Sequence, residues 1–130
     1  MRSAVAYVVA LVTMVALDGV WLGLIAKSLY RDALGPLMAD PVDLWAAGAF
    51  YLLYPVGLVA FAVRPDAGAG PGAVIVRGAL FGLIAYATYD LTNLATLKGF
   101  PTSIALIDML WGTVISAAAS AVSRRVVRAI

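Results

Sequence analysis

Three aspartates, Asp18, Asp90 and Asp108, stand inside long apolar runs of the chain. A carboxylate facing lipid costs at least about 2.5–3.5 kcal/mol, so each is expected to point into a helix bundle and find partners there. Carboxyls so placed can exchange protons, hold a cation, or act as general acid and base. Histidine and cysteine are both absent. Their absence removes the usual proton shuttle, any thiol nucleophile and the commonest metal ligands. Proton chemistry therefore falls to Asp, Tyr, Lys or water. No metal site and no cofactor is expected, and no catalytic residue is assigned.

The neighbours of these acids are specific. Tyr86, Asp90, Asn93 and Leu97 follow a helical repeat and form one stripe, with Tyr89 on its flank. The spacings Asp18-Gly-Val-Trp21 and Asp108-Met-Leu-Trp111 each set an indole one turn from an acid, on the same helix face. An indole N–H donates to a carboxylate, and an aromatic wall holds a cation or a lipid tail. A further helix offers Tyr51 and Tyr54, of which Tyr54 is assigned to the cluster, with Pro55 loosening the backbone nearby. The expected polar cluster is Asp18, Trp21, Tyr54, Tyr86, Tyr89, Asp90, Asn93, Asp108 and Trp111. Ser116, Ser120 and Ser123 also align, but without histidine they have no familiar base. Interhelical polar bridges that only fix packing contribute about 0.6 kcal/mol each. Three acids with no matching buried cation exceed that need.

The elements that must position these groups follow from composition. Of 130 residues, 64% are hydrophobic and 12% charged, with a mean hydropathy of +1.00. Soluble domains carry about 25% charged residues, and a small domain buries the smaller fraction of its surface. A bilayer is the solvent that suits this chain. Four apolar stretches, at about 4–26, 44–63, 73–97 and 102–122, each approach the roughly 20 residues needed to cross it. The first run continues past Asp18 with no small-residue cleavage site, so it reads as a retained helix rather than a signal peptide. The expected fold is all-α: an integral membrane four-helix bundle forming one transmembrane domain over residues 1–130.

Residues Lys27 to Asp43 mix Leu29, Tyr30, Leu34, Leu37 and Met38 with charges, which suits a short interfacial helix between helices one and two, broken near Gly35-Pro36. Arg2, Arg64, Arg77, Arg124, Arg125 and Arg128 fall on one side of the bundle, against Lys27, Arg31 and Lys98 on the other. Both termini are therefore expected in the cytoplasm, and the arginines near the C-terminus read as topology signals. Asp18 lies nine residues before Lys27, Asp90 eight before Lys98, and Asp108 seven after Pro101. At 1.5 Å per residue all three sit roughly 10–14 Å inside the outer boundary. Gly78 and Gly82 form a small-residue motif that allows close helix contact. No basic stripe supports a nucleic-acid partner.

The run Tyr86-Ala-Thr-Tyr89-Asp90-Leu-Thr-Asn93-Leu-Ala-Thr-Leu-Lys98-Gly-Phe-Pro101, with Asp108-Met-Leu-Trp111-Gly112-Thr113, Ala46-Ala-Gly-Ala-Phe-Tyr-Leu-Leu-Tyr54 and Asp18-Gly-Val-Trp21-Leu-Gly, carries a resemblance over nearly the whole chain. It resembles a bacterial family of small predicted membrane proteins, domain of unknown function 2177. The resemblance implies four helices in one domain, a place in the bacterial cytoplasmic membrane, no established activity, and a tilt towards lipid-linked roles.

Polar residues outnumber recognisable catalytic combinations. Binding or transport of a small solute or cation, coupled to protons, is therefore the leading expectation. A lipid-modifying enzyme or enzyme subunit is the alternative, and a structural scaffold the third reading. Membrane lipids are the expected surroundings, the ligand being a small solute or a lipid. A homodimer would suit a bundle that encloses so little volume.

Overall fold

A computed structural model describes residues 1–130. Every element is helical. α1 (Arg2–Val20) continues into a π-helical turn, Trp21–Ile25, and α2 (Lys27–Leu34) ends in a 3₁₀ turn, Gly35–Leu37. α3 (Leu44–Gly57) also runs on as a π-helical turn, Leu58–Val63, and is followed by α4 (Pro71–Thr96) and α5 (Thr102–Ala129). Four of these units are long and apolar enough to cross a membrane: Arg2–Ile25, Leu44–Val63, Pro71–Thr96 and Thr102–Ala129.

Local chemistry sets the boundaries. Asp43 caps α3, its carboxylate accepting from the backbone N–H groups of Trp45 and Ala46 at 3.0 and 3.1 Å. Pro71 opens α4, where its missing N–H has no cost. Gly99, at φ 75°, makes the sharp turn into α5. α1 begins at Arg2 rather than near residue 4, and its last turn changes to π geometry. α4 starts at 71 rather than 73 and stops at 96. α5 runs to 129, beyond the expected 122. Apolar runs mark where lipid ends, whereas a helix can continue into water as long as its polar face is solvated.

α5 is the hub, packing along α4 and α1. Small residues face its neighbours, including Gly112, Ser116, Ala119, Ser120 and Ser123, all buried. Gly78 and Gly82 of α4 meet this stripe so closely that an added Cβ would collide with Ser116 or Ser120, as the small-residue motif predicts. Met14, Leu58 and Ile115 fill the middle of the bundle. Large apolar side chains such as Val12, Leu53, Phe61 and Leu110 point outward instead, the arrangement expected where lipid is the solvent.

The π-helical end of α3 is seated among α1, α4 and α5, while its N-terminal half packs on α1. α3 and α4 meet where Gly57 lies against the Phe81 ring, and they part from there towards Phe50 and Tyr89. Two arginines hold the α3–α4 connection. Arg77 donates from Nε to the Ala62 carbonyl at 3.0 Å, and Arg124 donates to the carbonyls of Pro65 and Ala69 at 2.9 Å each. Arg124 is thus a buried clasp as well as a charge at the end of the bundle.

Candidate functional site

The parting of α3 and α4 leaves a cleft of about 450 Å³ among α1, α3, α4 and α5. Asp18 and Asp108 are its two charged lining residues, and most of the remaining wall is aromatic: Phe50, Tyr51, Tyr54, Tyr86, Tyr89 and Trp111. No lysine or arginine lines it.

Asp18, 6% exposed, is held by two donors from other helices. Tyr51 donates its hydroxyl to Oδ2 at 2.7 Å, and the Trp111 indole donates to Oδ1 at 2.8 Å. Asp108 accepts from the Tyr30 hydroxyl at 2.9 Å. Tyr30 comes from α2, and the Trp21 indole donates to its oxygen at 3.4 Å. Burial keeps the Tyr30 hydroxyl protonated well above the usual phenol range. The bond from Trp21 works against this, and the charges of Asp108 and Asp90 reinforce it. Tyr30 therefore remains a donor to Asp108 throughout the neutral range.

The two indoles do not serve the acids of their own helices. Trp111 crosses from α5 to Asp18 of α1, and Trp21 reaches Asp108 only through Tyr30. The rings stack on each other, centroids 4.6 Å apart and planes 9° from parallel. A π-helical turn follows, closed by the Ala26 N–H on the Trp21 carbonyl at 2.7 Å, and shifts the helical repeat beyond Trp21. Tyr54 turns the other way, sharing a hydrogen bond of 2.7 Å with Ser116 and packing edge-on against Phe81 and Tyr86.

Asp90 differs from the other two acids. It is 0% exposed, and neither carboxyl oxygen has a hydrogen-bond partner. It lies outside the cleft wall, with Asp108 the carboxyl that bears on it. No group of three or more acids is close enough to hold a metal ion.

Six of the nine residues assigned from the sequence line the cleft: Asp18, Tyr54, Tyr86, Tyr89, Asp108 and Trp111. Trp21 stands behind the wall, stacked on Trp111, and Asp90 lies beyond Asp108. Asn93, half-buried, is not brought into the cleft. Tyr51 and Tyr30 are the contacts that sequence reasoning left out of the cluster. Tyr51 shares a helix face with Tyr54, which was a usable signal. Tyr30 had none beyond being a polar handle on an amphipathic segment.

A polar interior, an apolar exterior and four helices of spanning length define an α-helical membrane protein. The chain belongs to the family described as predicted membrane protein (DUF2177), whose profile matches residues 3–124. No curated protein and no solved structure matches it.

Proposed function

We propose that this protein binds a small organic cation in the Asp18–Asp108 cleft in exchange for a proton released from Asp90 beside Asp108. We place it in the bacterial cytoplasmic membrane with both termini in the cytoplasm, on the bias of its arginines. The observation that carries the reading is a cleft with aromatic walls whose charged groups are both carboxylates. Carboxylates attract a cation strongly where water is scarce, and aromatic faces add to that attraction. The volume matches pockets that hold drug-sized molecules. Mostly apolar walls suit a cation with an organic body better than a bare metal ion.

Proton exchange is the part of the reading that uses Asp90. Two donors occupy Asp18, whereas Asp90 has hydrogen-bonding capacity to spare. In this reading Asp90 carries a proton until a cation binds, as the acids of membrane proton relays do. A cation entering beside Asp108 would displace that proton. The test is proton release by the purified protein in weakly buffered detergent on adding tetraphenylphosphonium. About one proton per bound cation is expected, and none from Asp90→Asn. Equal release from Asp90→Asn, or binding with no release by the unaltered protein, would overturn the coupling. A lipid is the second reading, since the mostly apolar and aromatic wall suits an acyl chain as well, and it leads to the lipid-modifying alternative.

A further inference from the structure

The opposite end of the bundle carries a second built site. Four arginines, Arg2, Arg124, Arg125 and Arg128, line two adjoining hollows of about 440 and 360 Å³ beside the N-terminus of α4, with Asp66 the acid among them. Arg124 and Arg128 belong to both hollows. Arg124 is the informative residue. Only 6% of it is exposed, its Nε has no partner, and its terminal nitrogens donate to carbonyls rather than to a carboxylate. A buried guanidinium without a counter-ion is costly unless an anion reaches it.

The backbone beside it also lacks partners. α4 is 26 residues long and has no side-chain cap, because Gly70 precedes Pro71 and supplies no side-chain oxygen. Pro71 has no N–H, and the Val74 N–H is taken by the Gly70 carbonyl at 3.3 Å. The amides of Gly72 and Ala73 are therefore the free donors of the first turn. Helix N-termini present such amides to anions with a favourable dipole, and arginine forks match phosphate oxygens. Arg125 and Arg128 are exposed and flank the same hollow on α5.

We infer that the hollow of about 440 Å³, lined by Pro71, Arg124, Arg125 and Arg128, holds a phosphate group, either the headgroup of an anionic lipid or a soluble phosphate. Arg125 and Arg128 clamp it, the first turn of α4 receives it, and buried Arg124 supplies the fixed charge behind. The site is separate from the carboxylate cleft and does not depend on the function proposed for that cleft.

The test uses the purified full chain in dodecyl maltoside, with lipid retention read by native mass spectrometry. Phosphatidylglycerol should be retained roughly ten-fold or more over phosphatidylcholine. The double variant Arg125→Gln/Arg128→Gln should lose that preference, while Arg31→Gln/Lys98→Gln, at the other end of the bundle, should keep it. Both variants leave Arg124 in place, so the loop it clasps stays folded. Preference retained in the first variant, or lost equally in both, overturns the site. Inorganic phosphate separates the two sources. If it raises the melting temperature and displaces phosphatidylglycerol, the ligand is soluble phosphate; if it does neither while the lipid preference holds, the ligand is the headgroup. Absence of any response to lipid and to phosphate overturns the proposal.

Discussion

Gly82→Val is expected to abolish stable folding of the bundle. A Cβ at Gly82 would overlap the Gly112 carbonyl of α5 and stand 2.5 Å from Ser116 Oγ. The carbonyl is backbone and cannot rotate away, so α4 and α5 must part along the interface that organises the fold. Overpacking a tight interior costs about 1–3 kcal/mol where side chains can adjust, and this contact offers less room than that. Gly78→Val should behave similarly, since Ser120 Oγ at 2.6 Å and the Ser116 carbonyl at 2.9 Å meet its Cβ. Gly19→Ala is the control: nothing lies within 4 Å of its Cβ, and alanine raises helix propensity by up to about 1 kcal/mol. Thermal melts in detergent, followed by circular dichroism, should show Gly82→Val unfolded or melting far lower and Gly19→Ala unchanged or higher. A Gly82→Val melt within a few degrees of the unaltered protein would mean that α4 and α5 do not pack as described.

Asp90→Leu should have the opposite effect on stability while removing function. A buried polar group without a partner costs about 1–3 kcal/mol, and Asp90 has two unpartnered oxygens in a fully buried side chain. Leucine removes that cost, so the melting temperature should rise. Asp18→Leu should lower it, because it strands the Tyr51 hydroxyl and the Trp111 indole N–H in the interior. The opposite signs separate a packing network from a working site, since a residue kept only for packing would not destabilise what it packs. If both replacements lower the melting temperature by similar amounts, Asp90 is a structural residue and its place in the proton exchange fails.

The spans could be read from the sequence because a bilayer demands a fixed length of apolar residues, and the runs from Leu44 and from Thr102 open the helices as expected. The shared depth of Asp18 and Asp108 followed from counting residues at a constant rise, and both acids do line one cleft. Gly78 and Gly82 announced the close α4–α5 contact by their spacing. What counting could not give is which helix stands opposite which. Trp111 and Asp18 meet across two helices far apart in the chain, and a helical repeat carries no information on that crossing. Trp21 stays one α-helical turn from Asp18, but its indole donates to Tyr30 and stacks on Trp111, partners that no repeat reveals. Tyr30 lies on a segment whose docking against α5 is a tertiary event. Arg124 looked like any basic residue at a membrane boundary until the α3–α4 connection folded over it.

The central claim is that the cleft bounded by Asp18 and Asp108 receives a cation, and its own tryptophans can report the event. The protein has three tryptophans: Trp111 lines the cleft, Trp21 stacks on it, and Trp45 is 91% exposed away from it. In a Trp45→Phe background, emission comes from the stacked pair alone. Titration with tetraphenylphosphonium in detergent should give a saturable change in that emission, and Asp108→Asn should abolish it while leaving the helical circular dichroism intact. A change that never saturates, or one that saturates equally in Asp108→Asn, would contradict the assignment of this cleft as a cation site.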